Sequence, residues 1–184
     1  MAKQFHALSD DHQAFLLRQK VFFTASGTAD SRINLSPKGL DCLRVLDATT
    51  ICWMDVTGSG AETAAHMAAD GRLTVMACAF EGTPLILRAY GRGACHRRDS
   101  ARYHQLLAQA FGGQEITGAR QIVELAIDLV QTSCGFGVPV LTFQEERQIL
   151  PRWAEKQGPE GVAKFQGEKN RVSIDGLPTG LVDA

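Results

Sequence analysis

Two long strand-like stretches, Arg72 to Phe80 and Leu85 to Cys95, stand back to back across Glu81-Gly-Thr-Pro84. Runs of this length joined by a few turn residues describe an antiparallel hairpin of the longer kind. Strands that pair this way need no crossover helix between them, which points away from a parallel sheet. Val21 to Ser26 and Arg32 to Ser36 read as two more strands about a polar turn at Gly27 to Ser31, with Pro37-Lys-Gly39 ending the second. Leu43 to Leu46 and Thr50 to Asp55 follow. In Ile122 to Gln131, Val123, Leu125, Ile127 and Leu129 fall at every second position, opposite Glu124 and Asp128, which favours a strand although part of the spacing also suits a helix. Helices are expected at Ser9 to Lys20, Ala61 to Asp70 and Ser100 to Phe111. The stretch Glu145 to Asn170 reads as two short helices, the second opened by Gly158-Pro159. Six or seven strands with helices inserted among them lack strict βαβα alternation. The expected class is mainly β (α+β), a small antiparallel barrel with peripheral helices.

The 184 residues fit one domain, 1–184, with a barrel over about 20–143 and a helical extension over about 144–184. A net charge of -1, with both signs interspersed, gives no electrostatic reason to expect nucleic acid. Met1-Ala-Lys-Gln-Phe-His has no apolar run after its lysine, and Leu73 to Phe80 is far too short to cross a bilayer as a helix. A soluble, cytoplasmic protein with no membrane contact is expected. Five cysteines, an odd number without any C-x-x-C pair, argue against a disulfide framework and against zinc-ribbon spacing.

Chemistry concentrates in two segments, Arg32-Ile-Asn-Leu-Ser-Pro-Lys-Gly39 and Thr57-Gly-Ser-Gly-Ala-Glu-Thr-Ala-Ala-His66. The first places a hydroxyl and two cations at a strand end, suited to the carbonyl oxygens and ring nitrogen of a planar electron carrier; it equally suits a solvated strand end. The second runs a Gly/Ser/Thr loop into a helix, whose N-terminal N–H groups and dipole favour an anion such as a phosphate. It also reads as a plain capping box, with Ser59 at the N-cap and Glu62 three residues on. No G-K-[ST] follows, so it is not a Walker loop. Glu62 and His66 sit at i,i+4 without a further ligand at metal spacing, and no metal site is assigned. His96 and His104 read as surface residues. Arg88, Tyr90 and Arg92 share a strand face that lines a pocket or meets solvent. Trp53 reads as core, and Trp153 as packing on its own barrel or on a partner chain. No catalytic base can be named for Cys134.

In this order and spacing these segments, with Leu43-Arg-Val-Leu-Asp47, Ile86-Leu-Arg-Ala-Tyr-Gly-Arg-Gly93, Gln131-Thr-Ser-Cys-Gly-Phe-Gly-Val-Pro139 and Ser173-Ile-Asp-Gly-Leu-Pro178, resemble the pyridoxamine 5′-phosphate oxidase-like family of FMN-binding split barrels. The resemblance spans about Phe22 to Leu181. It implies a six-stranded antiparallel Greek-key split β-barrel that forms a homodimer, with FMN in a groove between subunits. Asn34, Ser36, Pro37 and Lys38 would face the isoalloxazine ring. Ser59, Gly60, Glu62 and Thr63 would grip the ribityl phosphate, with Arg32 as a cationic partner. The loop carrying Cys134, Gly135 and Val138, and the segment Ser173 to Leu177, would approach the flavin edge, the partner subunit being one source. The chain departs from the family pattern in Ala61 and in lacking an Arg/Lys-rich phosphate grip at this loop, which points away from vitamin B6 oxidation itself.

The reading that follows is a flavin-dependent oxidoreductase passing electrons between a donor such as NAD(P)H and an unidentified small-molecule acceptor. The alternative is a non-catalytic dimer that carries or senses flavin, or a relative holding deazaflavin or haem, for which His66 or His96 would be the axial ligand.

Overall fold

The structure, a computed structural model, describes residues 2–182. In chain order its elements are β1 (Lys3–Phe5), α1 (Asp10–Arg18), β2 (Phe22–Ser26), β3 (Asn34–Lys38), β4 (Leu43–Asp47), β5 (Thr50–Val56), α2 (Glu62–Ala69), β6 (Arg72–Cys78), β7 (Ile86–Arg97), α3 (Ala101–Phe111), β8 (Ala119–Ser133) and α4 (Ile149–Lys169). All strand pairings are antiparallel, as the hairpin pattern requires. The sheet runs β3-β2-β6-β7-β8-β5-β4, with β1 added on β8.

The described residues thus form eight strands rather than six, in one sheet whose hydrogen-bonded path is open at β3 and β4. It is nonetheless curled, because Lys38 on β3 reaches Asp55 on β5 near the opposite end of the path. The strand β1 went unread because Lys3-Gln-Phe5 carries too little alternation to signal one.

The core explains the curl. Ile51, Cys52, Trp53, Val75, Leu87, Ala89, Ile122, Val123, Leu125 and Val130 are fully buried inside it, together with Tyr103 and Leu106 of α3. Trp53 packs edge-on against Phe22 of β2, drawing β5 and β2 together across the sheet. A bulge on β8 opposite Tyr90 and Gly91 switches its alternation: Ile127 points inward, Asp128 is the extra residue, and Val130 replaces Leu129 as the buried neighbour. Gly91 is needed there, since a Cβ would stand 1.9 Å from the carbonyl oxygen of Ala126.

The strand expected at Arg32 to Ser36 instead begins at Asn34 and runs through Pro37 to Lys38, paired residue by residue with β2. Proline is tolerated because β3 is an edge, where one side of the strand has no ladder bond to donate. The C-terminal extension is two helical pieces, as expected, broken at Gly158 (φ 66, ψ 174), but it starts at Ile149 rather than Glu145. Trp153 packs edge-on against Phe165 across that break, within its own extension.

Candidate functional site

β3, the end of β5 and the loop into α2 enclose a cleft of about 380 Å³. Its wall carries Asn34, Ser36, Pro37 and Lys38 from one segment and Ser59, Gly60, Glu62 and Thr63 from the other. Two stretches twenty residues apart in sequence are therefore one surface. Asn34 bridges them directly, its amide nitrogen donating to Thr63 Oγ1 at 3.1 Å.

Ser59 does not cap α2, contrary to the capping-box pattern. The N-cap is Ala61, with no side-chain cap, and Glu62 opens the helix. Glu62 instead accepts the backbone N–H of Ile174 with both carboxylate oxygens, at 3.0 and 3.2 Å. The first backbone bond of the helix runs from Ala65 to Ala61. Among the described residues, the N–H groups from Ser59 to Ala64 have no protein acceptor. A run of free donors at an uncapped helix start is the arrangement that favours an anion.

Beneath the cleft lies a charge cluster that sequence reasoning missed. Asp55 is buried and accepts from Arg120 Nε at 2.8 Å, Gln121 Nε2 at 2.9 Å and Lys38 Nζ at 3.2 Å. Consecutive strand residues normally face opposite ways. Here the β5–β8 register shifts between Asp55 and Val56, leaving Arg120 as the bulged residue, so that Arg120 and Gln121 both reach one carboxylate. Burial raises the pKa of Asp55, but the charges of Arg120 and Lys38 and the hydrogen bonds outweigh it and hold the group down at about 2. Arg120 also donates to the carbonyl of Gly60 at 3.0 Å and to Asn170 Oδ1 at 2.8 Å. The readable signal was Asp55 itself, a charge in an apolar strand that must have a partner. Cys42 lines the cleft as a neutral thiol, since burial pushes its pKa up to about 12.

The remaining candidates lie elsewhere. Arg32 is exposed and pairs with Asp175, away from the cleft lining. The segment Ser173 to Leu177, bound to Arg32 and to Glu62, sits beside the cleft within its own chain. Cys134, Gly135 and Val138 follow the far end of β8, whose near end carries Arg120. Along a strand of that length the separation is up to about 40 Å. His66 is buried, with Nδ1 3.0 Å from Ser26 Oγ, and His96 is held by Glu124 at 2.9 Å; neither lines the cleft. Arg92 turns to Asp70 and Arg88 to Ser133.

The architecture is an antiparallel sheet curled about a buried core, with a donor-lined cleft where an edge strand meets an uncapped helix. The family model described as Pyridoxamine 5'-phosphate oxidase matches residues 8–134. The pyridoxamine 5'-phosphate oxidase family protein ustO of Aspergillus flavus is 36% identical over 190 residues, covering 95% of this chain and 76% of the relative. The chain belongs to the pyridoxamine 5'-phosphate oxidase family. Among solved structures, a candidate pyridoxamine 5'-phosphate oxidase of Lactobacillus delbrueckii shares the fold with a TM-score of 0.53 at 19% identity, over 68% of this chain and 94% of that one. HupZ of Group A Streptococcus does so at 0.52 and 16% identity, over 66% and 92%. No helix among the described residues is long and apolar enough to cross a membrane.

Proposed function

We propose that this chain binds FMN in the cleft and works as a flavin-dependent oxidoreductase. The observation that carries the reading is the union of Asn34–Lys38 with Ser59–Thr63 on one wall, ending in backbone donors that no group among the described residues uses. The residues present fit the group. The N–H groups of Ser59 to Ala64 would take the phosphate, and a Cβ placed on Gly60 meets nothing closer than Glu62 Oε1 at 3.8 Å, so the space it leaves belongs to the cleft. Ser36 and Lys38 would face the ring, where a cation favours the reduced, anionic form. Bound FMN would supply reversible hydride and electron transfer. No residue of the wall is assigned as general acid or base.

The split-barrel description and the homodimer belong to the same reading. Leu35 on the open edge strand and Ile33 just before it, with Val172 and Ile174 of the tail, are exposed apolar residues fit for a second copy. The Cys134–Val138 loop, a strand length from the cleft of its own chain, would reach a flavin only from that copy. Five free cysteines suit a reducing cytoplasm. Pyridoxamine phosphate oxidation is not the activity proposed. The cations on the cleft wall, Lys38 and Arg120, are both engaged by Asp55 rather than free to grip a second phosphorylated molecule. Nor do His66 and His96, one sealed in the core and one held by Glu124, offer an axial ligand for haem.

Purified protein incubated with FMN and desalted should retain a flavin absorbance spectrum and oxidise NADPH or NADH with an artificial acceptor. Retained flavin without turnover would favour the carrier. A colourless protein would overturn both. Sedimentation of the loaded protein should show two chains per particle.

A further inference from the structure

We infer that Asn170, in the C-terminal extension beyond the matched family region, is the positioning residue that turns the glycine loop toward a phosphate. The inference rests on the flavin reading above. Asn170 is fully buried, although its side chain is wholly polar. Its Nδ2 donates to the carbonyl of Gly58 at 3.0 Å, and its Oδ1 accepts from Arg120 at 2.8 Å. Arg120 in turn donates to the carbonyl of Gly60. The backbone of Asn170 is pinned as well: its N–H closes α4 onto Gln166, and its carbonyl accepts the Thr179 hydroxyl at 2.5 Å. Gln166 adds a bond to Thr57 Oγ1 at 2.7 Å.

The consequence follows from peptide geometry. In a planar trans peptide, the C=O of one residue and the N–H of the next point in opposite directions. Drawing the carbonyls of Gly58 and Gly60 onto Asn170 and Arg120 therefore sends the N–H groups of Ser59 and Ala61 the other way. It also keeps two partial negative charges turned from the place an anion would occupy. The same tail also holds the carboxylate of Glu62, the one acid among the described residues of the cleft wall, through the N–H of Ile174. The extension thus acts as a strap whose buried asparagine orients the donors of a loop far from it in sequence.

The test is a pair of affinities, for FMN and for riboflavin, which lacks the phosphate. Asn170→Asp retains the oxygen that meets Arg120 but has no N–H for Gly58. Wild type should prefer FMN, and Asn170→Asp should cut that preference by about tenfold, the worth of one loop N–H bond to the charged phosphate. Riboflavin affinity should hold, as should Asn170→Gln at an intermediate preference. A purely structural role would lower both affinities together, or the melting temperature alone. Should Asn170→Asp not fold, Asn170→Ser, whose smaller side chain leaves room for a water beside Arg120, carries the same expectation. An unchanged preference in a folded variant overturns the role of Asn170 and leaves flavin binding standing. Equal wild-type affinities for FMN and riboflavin overturn the phosphate loop, and with it this inference, while ring binding survives. Wild type that binds neither overturns this inference and the flavin reading together.

Discussion

Two ion pairs tie distant segments together around the cleft, and they are built on opposite terms. Arg120 and Asp55 are sealed, with side chains 6% and 2% exposed. Arg32, paired with Asp175, is 73% exposed. Both join residues far apart in sequence, yet only the first stands where water cannot replace a lost partner. An exposed pair trades protein contacts for solvent ones at little net gain, whereas a buried charge without its partner is stranded. The cleft floor therefore depends on the interior cluster, and the outer pair only trims the tail.

The largest expected effect comes from taking from the buried carboxylate its closest cation, leaving it only Gln121 at 2.9 Å and Lys38 at 3.2 Å. Arg120→Met should cost about 3–5 kcal/mol in urea unfolding. A loss below about 1 kcal/mol would show that Asp55 is not the desolvated anchor described above.

Acid should probe the same carboxylate without mutation elsewhere. Asp55 is held at about 2 against an ordinary value of 3.8. A depressed folded-state pKa contributes stability in full above the unfolded value, and that contribution is lost as pH falls through the folded one. Wild type should thus lose about 2 kcal/mol more than Asp55→Asn between about pH 4.5 and pH 2. Parallel pH curves for the two proteins would contradict the assignment.

Lys38→Met is expected to be milder for the fold, because Arg120 and Gln121 still satisfy Asp55. Its effect should fall on the ligand, with FMN affinity down about tenfold or a lower reduction potential of the bound flavin. If neither changes, Lys38 belongs to the floor alone. Arg32→Ala closes the series with no measurable change in the urea midpoint. A loss approaching that of Arg120→Met would erase the contrast between the two pairs.

Much of this cleft was legible in local patterns, and the part that was not has a common cause. Ser36, Lys38, Ser59 and Thr63 announce themselves because hydroxyls and a cation cluster at a strand end and a glycine loop, while Asn34 comes from the family resemblance. Arg120 was invisible as a site residue because its orientation is set by a bulge, and a bulge leaves no mark on alternation until the register is known. The same holds for Val130, which takes the inward place that strict alternation assigns to Leu129. Asn170 depends on the path of a tail that turns back onto residues more than a hundred positions earlier. Ser59 misled for a different reason: a capping-box pattern is satisfied by composition, and only the observed helix start at Glu62 shows the box unformed. The family resemblance offers Arg32 as a cationic partner of the phosphate, and the tail pairs it with Asp175 instead.

The central claim is that Asn34–Lys38 and Ser59–Thr63 together receive one phosphorylated flavin. Titrating FMN fluorescence with wild type and with Gly60→Val tests it most directly, since a Cβ at this position meets no protein atom closer than Glu62 Oε1 at 3.8 Å. Wild type should quench the fluorescence saturably with one FMN per chain, and the folded variant should need at least about tenfold more protein. Equal binding by the two proteins, or no quenching by wild type, would contradict it.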